Sequence, residues 1–162
     1  MRIDALRRAP GNLLETDRRP NPALRWAAGT LAALAGAALN RYVAFDFAFG
    51  VQLLPGGVFG SLAALILPWP FGSLGTLVAA LPTLILWQHP WALPSAFLEG
   101  LLLSRLARNG RAETALYLDP VYWTVAGVPL VGLLYHVVGG MDFEAVFASA
   151  AKQGFNAAVA CA

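Results

Sequence analysis

The stretch that decides the fold is "GVFGSLAALILPWPFGSLGTLVAALPTLILW", residues Gly57 to Trp87. It belongs to a longer run, between Asp46 and Glu99, that contains no Asp, Glu, Lys or Arg. About fifty residues without a charge are enough for two membrane-spanning helices of roughly 20 residues each. Because the two prolines of "PWPFG" cannot both lie inside one regular helix, the run predicts two spans, from about Gly56 to Leu67 and from about Ser73 to Trp87.

The composition of the whole chain indicates the same environment. The 162 residues are 58% hydrophobic and only 12% charged, and the mean hydropathy is +0.61, which is typical of membrane proteins rather than of soluble domains. The net charge of +2 is too small to predict nucleic-acid binding. The sequence has no phosphate-binding loop, no nucleophile-elbow or zinc-protease motif and no cysteine pair, so it predicts no enzyme activity and identifies no cofactor.

The remaining apolar segments predict four more spans, which gives an all-α polytopic membrane helix bundle of about six transmembrane helices. A cytoplasmic Arg-rich arm occupies residues 1–25, with a short amphipathic helix around Leu6, Leu13 and Leu14, and the transmembrane domain occupies residues 26–162. Asp119 is predicted to cap the fifth helix, with Pro120 at its first position. The four additional spans run over about Trp26–Ala44, Trp91–Leu106, Val121–Val138 and from Phe143 to the last residue.

The arginines predict the topology of these spans. The arm contains six arginines, and a second cluster of Arg105, Arg108 and Arg111 follows the fourth span. Since Lys and Arg collect on the cytoplasmic side, both clusters should be inside, which requires an even number of crossings between them. The chain is therefore expected to lie in the bacterial inner membrane with both termini cytoplasmic. The apolar end, "AAVACA", suggests that a cytoplasmic domain follows, and Cys161 is expected to be a small packing residue.

Two charged residues fall near the middle of predicted spans. Glu99 and the single lysine, Lys152, lie about nine and ten residues past the outer starts of their spans, so they should be at similar depth. Buried intramembrane charges usually have a partner, and a Glu99–Lys152 ion pair is therefore predicted. The pair could be purely structural, could form the polar floor of a ligand cavity together with Gln153 and Asn156, or could belong to a proton or ion path.

A second candidate site lies at the outer side. His89 and His136 map there, beside Trp91, and form an alternative ligand region. Two histidines do not make a metal site, because zinc needs three or four protein ligands, so no metal is predicted. Aromatic side chains at the ends of spans are expected to lie in the headgroup zone: Trp69, Trp87, Trp91, Tyr122 and Trp123.

From about Gly50 to the end, the chain resembles the N-terminal membrane region of bacterial sensory proteins, which precedes PAS, histidine kinase or diguanylate cyclase domains. The resemblance is carried by "HPWALPSAFLEGLLLSRLARNG", "DPVYWTVAGVPLVGLLYH" and "AAKQGFNAAVA". It implies a sensor that binds a small molecule or senses the bilayer and passes a helix shift to a cytoplasmic output domain. The implied partners are the lipid bilayer, a small-molecule ligand and, through the output domain, a second copy of the chain.

A looser similarity is to the substrate-binding membrane subunits of energy-coupling vitamin transporters, which are also six-helix bundles with a small-residue first helix. This similarity makes Gly29, Ala33 and Ala37 a candidate face for docking a partner. The same four-residue spacing also suits close helix packing inside the chain's own bundle. A third alternative is a small structural or assembly protein of the membrane.

Overall fold

The structure is a computed structural model that describes residues 21–48 and 51–160; the side chains of residues 46–48, 51–52, 116 and 153–160 are outside this description. The fold is helical, as predicted, apart from one short hairpin. Its helices are α1 (Pro22–Tyr42), α2 (Gly56–Ile66), α3 (Gly72–Ala80), α4 (Thr83–Trp87), α5 (Ala92–Arg108), α6 (Ala115–Tyr122), α7 (Val128–Val131) and α8 (Phe143–Ala160).

The predicted break at "PWPFG" is confirmed, because α2 ends at Ile66 and α3 begins at Gly72. The third predicted helix is shorter than expected. A second break at Leu81 and Pro82 separates α3 from α4, since a proline supplies no N–H for the helix. The predicted arm of residues 1–25 lies mostly outside the described residues, as do its amphipathic helix and Cys161, and α1 begins four residues before Trp26.

The hairpin was not predicted. Strands β1 (Phe45–Ala48) and β2 (Val51–Leu53) pair antiparallel, with Phe45 opposite Leu53. An apolar run as short as "FDFAFGVQLL" does not distinguish a strand from a helix. The hairpin connects the end of α1 to the start of α2 and contacts α8 through β2.

The segment from Ala115 to Val138 is continuously helical, but two stretches of it are π-helical: Trp123–Gly127 and Gly132–Val138. Pro120 and Pro129 both lie within it. A proline ring clashes with the carbonyl one turn earlier, and a wider π turn relieves that crowding. The prediction that Asp119 caps this helix was wrong, because α6 already begins at Ala115 and Asp119 lies within it.

Small residues allow the first helices to pack closely. A methyl group added to Gly36 of α1 would lie 2.7 Å from the carbonyl oxygen of Gly56 in α2 and 2.9 Å from the Cβ of Ala79 in α3. Gly100 of α5 packs in the same way against Ser73 and Thr76 of α3. These contacts require glycine because any side chain would push the helices apart.

Among the described residues, one helical segment, Tyr117–Val138, is long and apolar enough to cross a membrane by length and composition alone. Gly56–Ile66 and Gly72–Trp87 are shorter apolar helical segments. At 1.5 Å per residue a helix as short as α2 does not reach across a hydrocarbon core of about 30 Å. The helical fold is thus established, and the count of six spans stays a prediction.

The bundle has two chemically different ends. At the basic end, Arg25 donates from Nη2 to the carbonyl oxygen of Ile66 at 3.0 Å, and the guanidinium groups of Arg105 and Arg108 lie over the ring of Trp69. At the opposite end, the histidine end, His89 packs edge-on against Tyr135 with ring centroids 5.0 Å apart. Arg25, the arginine of the arm that the structure describes, is therefore at the same end of the bundle as the second predicted arginine cluster.

Candidate functional site: a polar cavity between the helices

A cavity of about 70 Å³ lies where α1 to α5 meet Trp123 and α8. We call it the polar cavity because most of its large side chains carry polar or charged groups. Since one water needs roughly 10 to 15 Å³ of such space, it has room for about five waters. Its polar and aromatic lining consists of Asn40, Thr76, Thr83, Trp87, Ser95, Glu99, Trp123 and Lys152.

Glu99 reaches the polar cavity from the middle of α5, where it is partly buried. Its Oε1 accepts a hydrogen bond of 3.0 Å from the hydroxyl of Ser61 on α2. The serine fits this role because it is on the face of α2 that turns toward α5. The carbonyl oxygen of Gly57, 3.3 Å from the same hydroxyl, is an alternative acceptor for its single proton. Glu99 therefore has a polar partner from a neighbouring helix.

Asp119 is a second carboxyl group at this site, and the sequence did not identify it. It is only 3% exposed and close enough to Glu99 for their charges to interact. Its Oδ1 is buried without a hydrogen-bond partner in the part of the chain that the structure describes. Asp119 resembled a helix cap in the sequence because a proline follows it. In the structure it is buried near Glu99, beside the polar cavity.

Lys152 enters the polar cavity from α8 and is 1% exposed. Its Nζ lies 4.1 Å from the ring centroid of Trp87, which is a cation–π arrangement. The predicted ion pair with Glu99 is not formed: within the described side chains no N···O contact of 4.0 Å or less joins them. The two residues are at the same cavity, as their matching depths predicted, but each has its own neighbours.

Asn40 connects three helices at the wall of the polar cavity. Its Nδ2 donates to the carbonyl oxygen of Ala79 at 2.8 Å, and its Oδ1 accepts from the backbone N–H of Gly56 at 2.7 Å. The hydroxyls of Thr83 and Ser95 donate to carbonyls three residues earlier, so they keep acceptor lone pairs available. The polar side chains of this wall thus have hydrogen-bond partners within the chain, and their oxygens can still accept hydrogen bonds from a ligand.

Aromatic residues also differ from the prediction of a headgroup belt. Trp123 is buried and lines the polar cavity, and Trp87 lines it from α4. Tyr122 is partly buried and donates from its hydroxyl to the carbonyl oxygen of Ser95 at 2.8 Å. Trp69 is exposed at the basic end. Some of the aromatic residues predicted to lie in the headgroup zone therefore line or support the polar cavity instead.

The second predicted region, at the histidine end, is separate from the polar cavity. His89 lies between α4 and α5, and its partial burial lowers the pKa of its imidazole. His136 is exposed, with Nδ1 2.8 Å from the carbonyl oxygen of Met141. Trp91 packs on the cluster that contains Tyr135. No group of three potential metal ligands occurs among the described residues.

The remaining predicted site residues divide into two groups. The side chains of Gln153 and Asn156 lie outside the described residues, although both belong to α8. Gly29 and Ala33 are buried against the chain's own core, and Ala37 is partly buried. A methyl group on Gly29 would collide with the side chain of Leu67, so this face packs inside the bundle as described.

Comparison of the chain with models of protein families, with curated proteins and with solved structures found no match.

Proposed function

We propose that the chain is an integral membrane sensor module that binds a small molecule in the polar cavity and couples it to a cytoplasmic output domain through α8. The single observation that carries this proposal is the placement of two ionisable side chains, Glu99 and Lys152, at one cavity between the helices of a bundle that exposes many apolar side chains. Buried charges inside membrane helices usually mark a functional site, because they are costly to keep.

Membrane embedding is supported by where polar and apolar residues lie. The buried residues include nine polar or charged side chains: Asn40, Ser73, Thr76, Thr83, Ser95, Ser104, Asp119, Ser149 and Lys152. Large apolar side chains are exposed on helices around the bundle, among them Leu31, Leu34, Leu62, Leu74, Ile85, Leu98, Val125, Leu133 and Phe147. Contact with lipid explains why so many large apolar side chains are exposed while polar ones are buried.

The orientation follows from the two ends. Arg25, Arg105 and Arg108 meet at the basic end, which the positive-inside rule assigns to the cytoplasm. The histidine end then faces outward. Arg41 is in the last turn of α1, and the acids Asp142 and Glu144 are at the start of α8. With α8 running from Phe143 at the histidine end toward the basic end, its last turns point to the cytoplasm of a bacterial inner membrane.

Coupling is supported by the position of Lys152 on α8. A ligand that contacts Lys152 stabilises one placement of α8 relative to others. A signal requires such a difference in the ligand's affinity for the two placements of the helix. The helix contacts α2, β2, α6, α7 and both π-helical stretches. π-Helical turns often occur at functional sites. An output domain joined after α8, and dimerisation through it, agree with the resemblance to sensory membrane regions.

The geometry favours this sensor over a vitamin-transporter subunit. Pockets for drug-sized ligands have about 300 to 1,000 Å³ and a few well-placed polar groups, whereas the polar cavity has about 70 Å³. An open groove of about 350 Å³ beside Trp91 is large enough, but its lining is apolar and offers no polar group to recognise a vitamin. In addition, Gly29 and Ala33 are buried and are not available to dock an energising partner.

The proposal is tested with single cysteines in a Cys161→Ser background and an impermeant thiol reagent. Asp142→Cys, at the histidine end, should be labelled in intact cells, and Glu113→Cys, beyond α5, only after permeabilisation. Labelling of both without permeabilisation, or the reverse pattern, would overturn the orientation.

Coupling to α8 is tested by amide hydrogen exchange on the purified protein. Trp87→Leu removes the ring beside Lys152 and should speed exchange in α8, whereas the control Trp69→Leu, at the basic end, should leave α8 unchanged. Equal exchange in α8 for the two variants would contradict coupling between cavity and helix.

A further inference from the structure

The polar cavity has a carboxyl group on one wall and an amino group on another. Glu99 lines it from α5, with the second carboxyl group, Asp119, nearby. Lys152, the single lysine of the chain, lines it from α8 with Trp87 beneath its ammonium group. Because Glu99 and Lys152 share the cavity without an ion pair between them in the described structure, the cavity has an acidic wall and a basic wall.

We propose that the ligand of the polar cavity is a small zwitterion, an amino acid with little or no side chain. Its ammonium group lies at Glu99 and its carboxylate at Lys152. The inference rests on the proposed function, in which this cavity is the ligand site, and it adds the chemical class of the ligand.

Charge complementarity supports a zwitterion over a singly charged ligand. A lone cation would meet the acidic wall and leave Lys152 uncompensated, and a lone anion would leave Glu99 uncompensated. A buried charged group without a partner is costly, whereas a charge-assisted hydrogen bond is strong. A ligand carrying both charges gives each wall its counter-ion at once, and it bridges two side chains that do not reach each other.

The size of the cavity limits the ligand further. A volume of about 70 Å³ admits about five waters, and glycine has a similar number of non-hydrogen atoms. The apolar parts of the wall are small, since Gly60, Ala79 and Ala96 line it. A larger apolar side chain would therefore require the helices to separate, which close packing at Gly36 and Gly100 opposes.

The test is isothermal titration of the full chain in lipid nanodiscs with three probes: glycine, methylammonium and acetate. Glycine should bind at least about tenfold more tightly than either single-charge probe, because each probe strands one buried charge. Phenylalanine, which carries the same two charges on a large side chain, should not bind. Methylammonium equal to glycine would indicate a cation site, acetate equal to glycine an anion site, and either result overturns the inference, as does no binding of glycine.

Variants locate the binding. Glu99→Gln and Lys152→Gln should each weaken glycine binding at least about tenfold, and Glu144→Gln, an exposed acid on α8, should leave it unchanged. Circular dichroism verifies that each variant keeps its helices, and a fourfold or smaller effect in a folded Glu99→Gln protein contradicts the assignment. Failure here is distinct from failure of the proposed function, since the cysteine labelling of the two ends does not depend on any ligand.

Discussion

Adding one methyl group at Gly36 tests the close approach of α1 to α2. In Gly36→Ala the new Cβ would lie 2.7 Å from the carbonyl oxygen of Gly56 and 2.9 Å from the Cβ of Ala79. Both distances are shorter than van der Waals contact, and the obstacle is a backbone atom that cannot rotate away. Overpacking of this kind typically costs about 1 to 3 kcal/mol, while alanine in a helix regains about 0.5 to 1 kcal/mol relative to glycine.

The expected net loss in the free energy of unfolding is therefore about 1 to 2 kcal/mol. Gly57→Ala is the matched control, because nothing lies within 4 Å of a Cβ at that neighbouring helical position, and it should be neutral or slightly stabilising. Thermal unfolding of the two detergent-solubilised variants should differ by about 2 to 8 °C. If Gly36→Ala unfolds at the same temperature as Gly57→Ala or above it, the described α1–α2 contact is wrong.

Three further perturbations follow from individual contacts. Asn40→Leu removes both hydrogen bonds that join α1 to Ala79 and Gly56, so it should lower the free energy of unfolding by about 2 to 4 kcal/mol; a loss below 1 kcal/mol in a denaturant titration speaks against this junction. Ser61→Ala should cost about 1 to 2 kcal/mol by removing the hydroxyl that donates to Glu99, and that cost should disappear in a Glu99→Leu background, which has no acceptor for the hydroxyl. Burial lowers the pKa of His89 below its ordinary value of 6.5, so the unfolded chain takes up this proton first and stability should fall as the pH drops below about 6.5. His89→Gln should flatten that pH dependence while the exposed His136→Gln should not, and equal profiles for the two variants would refute the role of His89.

The apolar helices and the break at "PWPFG" were predictable because they depend on local chemistry, whereas the break at Leu81 and Pro82 was not predicted. The absence of charge from Asp46 to Glu99 and the prolines of "PWPFG" are visible without any tertiary contact, and α2 and α3 lie where those features indicate. The hairpin of Phe45–Leu53 was not predictable in the same way. A short aromatic-rich run can form either a strand or a helix. The backbone hydrogen bonds between β1 and β2 decide the outcome, and a single segment does not reveal them.

The site was only partly predictable. Equal depth on two helices correctly brought Glu99 and Lys152 to one cavity, but depth carries no information about rotation around each helix axis, and the ion pair does not form in the described structure. Asp119 was misassigned because its proline neighbour is a common signal for a helix start, while the preceding turn from Ala115 has weak signals. Asn40 escaped notice because its two partners come from other helices.

Accessibility of spin labels at exposed apolar positions tests the central claim, that lipid surrounds the bundle. Leu31 and Val125 are 69% and 71% exposed near the middle of their helices, and Glu113 is exposed in the connection after α5. In liposomes, nitroxides at Leu31→Cys and Val125→Cys should collide with oxygen and not with a water-soluble nickel chelate, whereas a nitroxide at Glu113→Cys should show the opposite preference. If the nickel chelate reaches positions 31 and 125 as readily as position 113, the apolar surface faces water and the membrane-embedded sensor is contradicted.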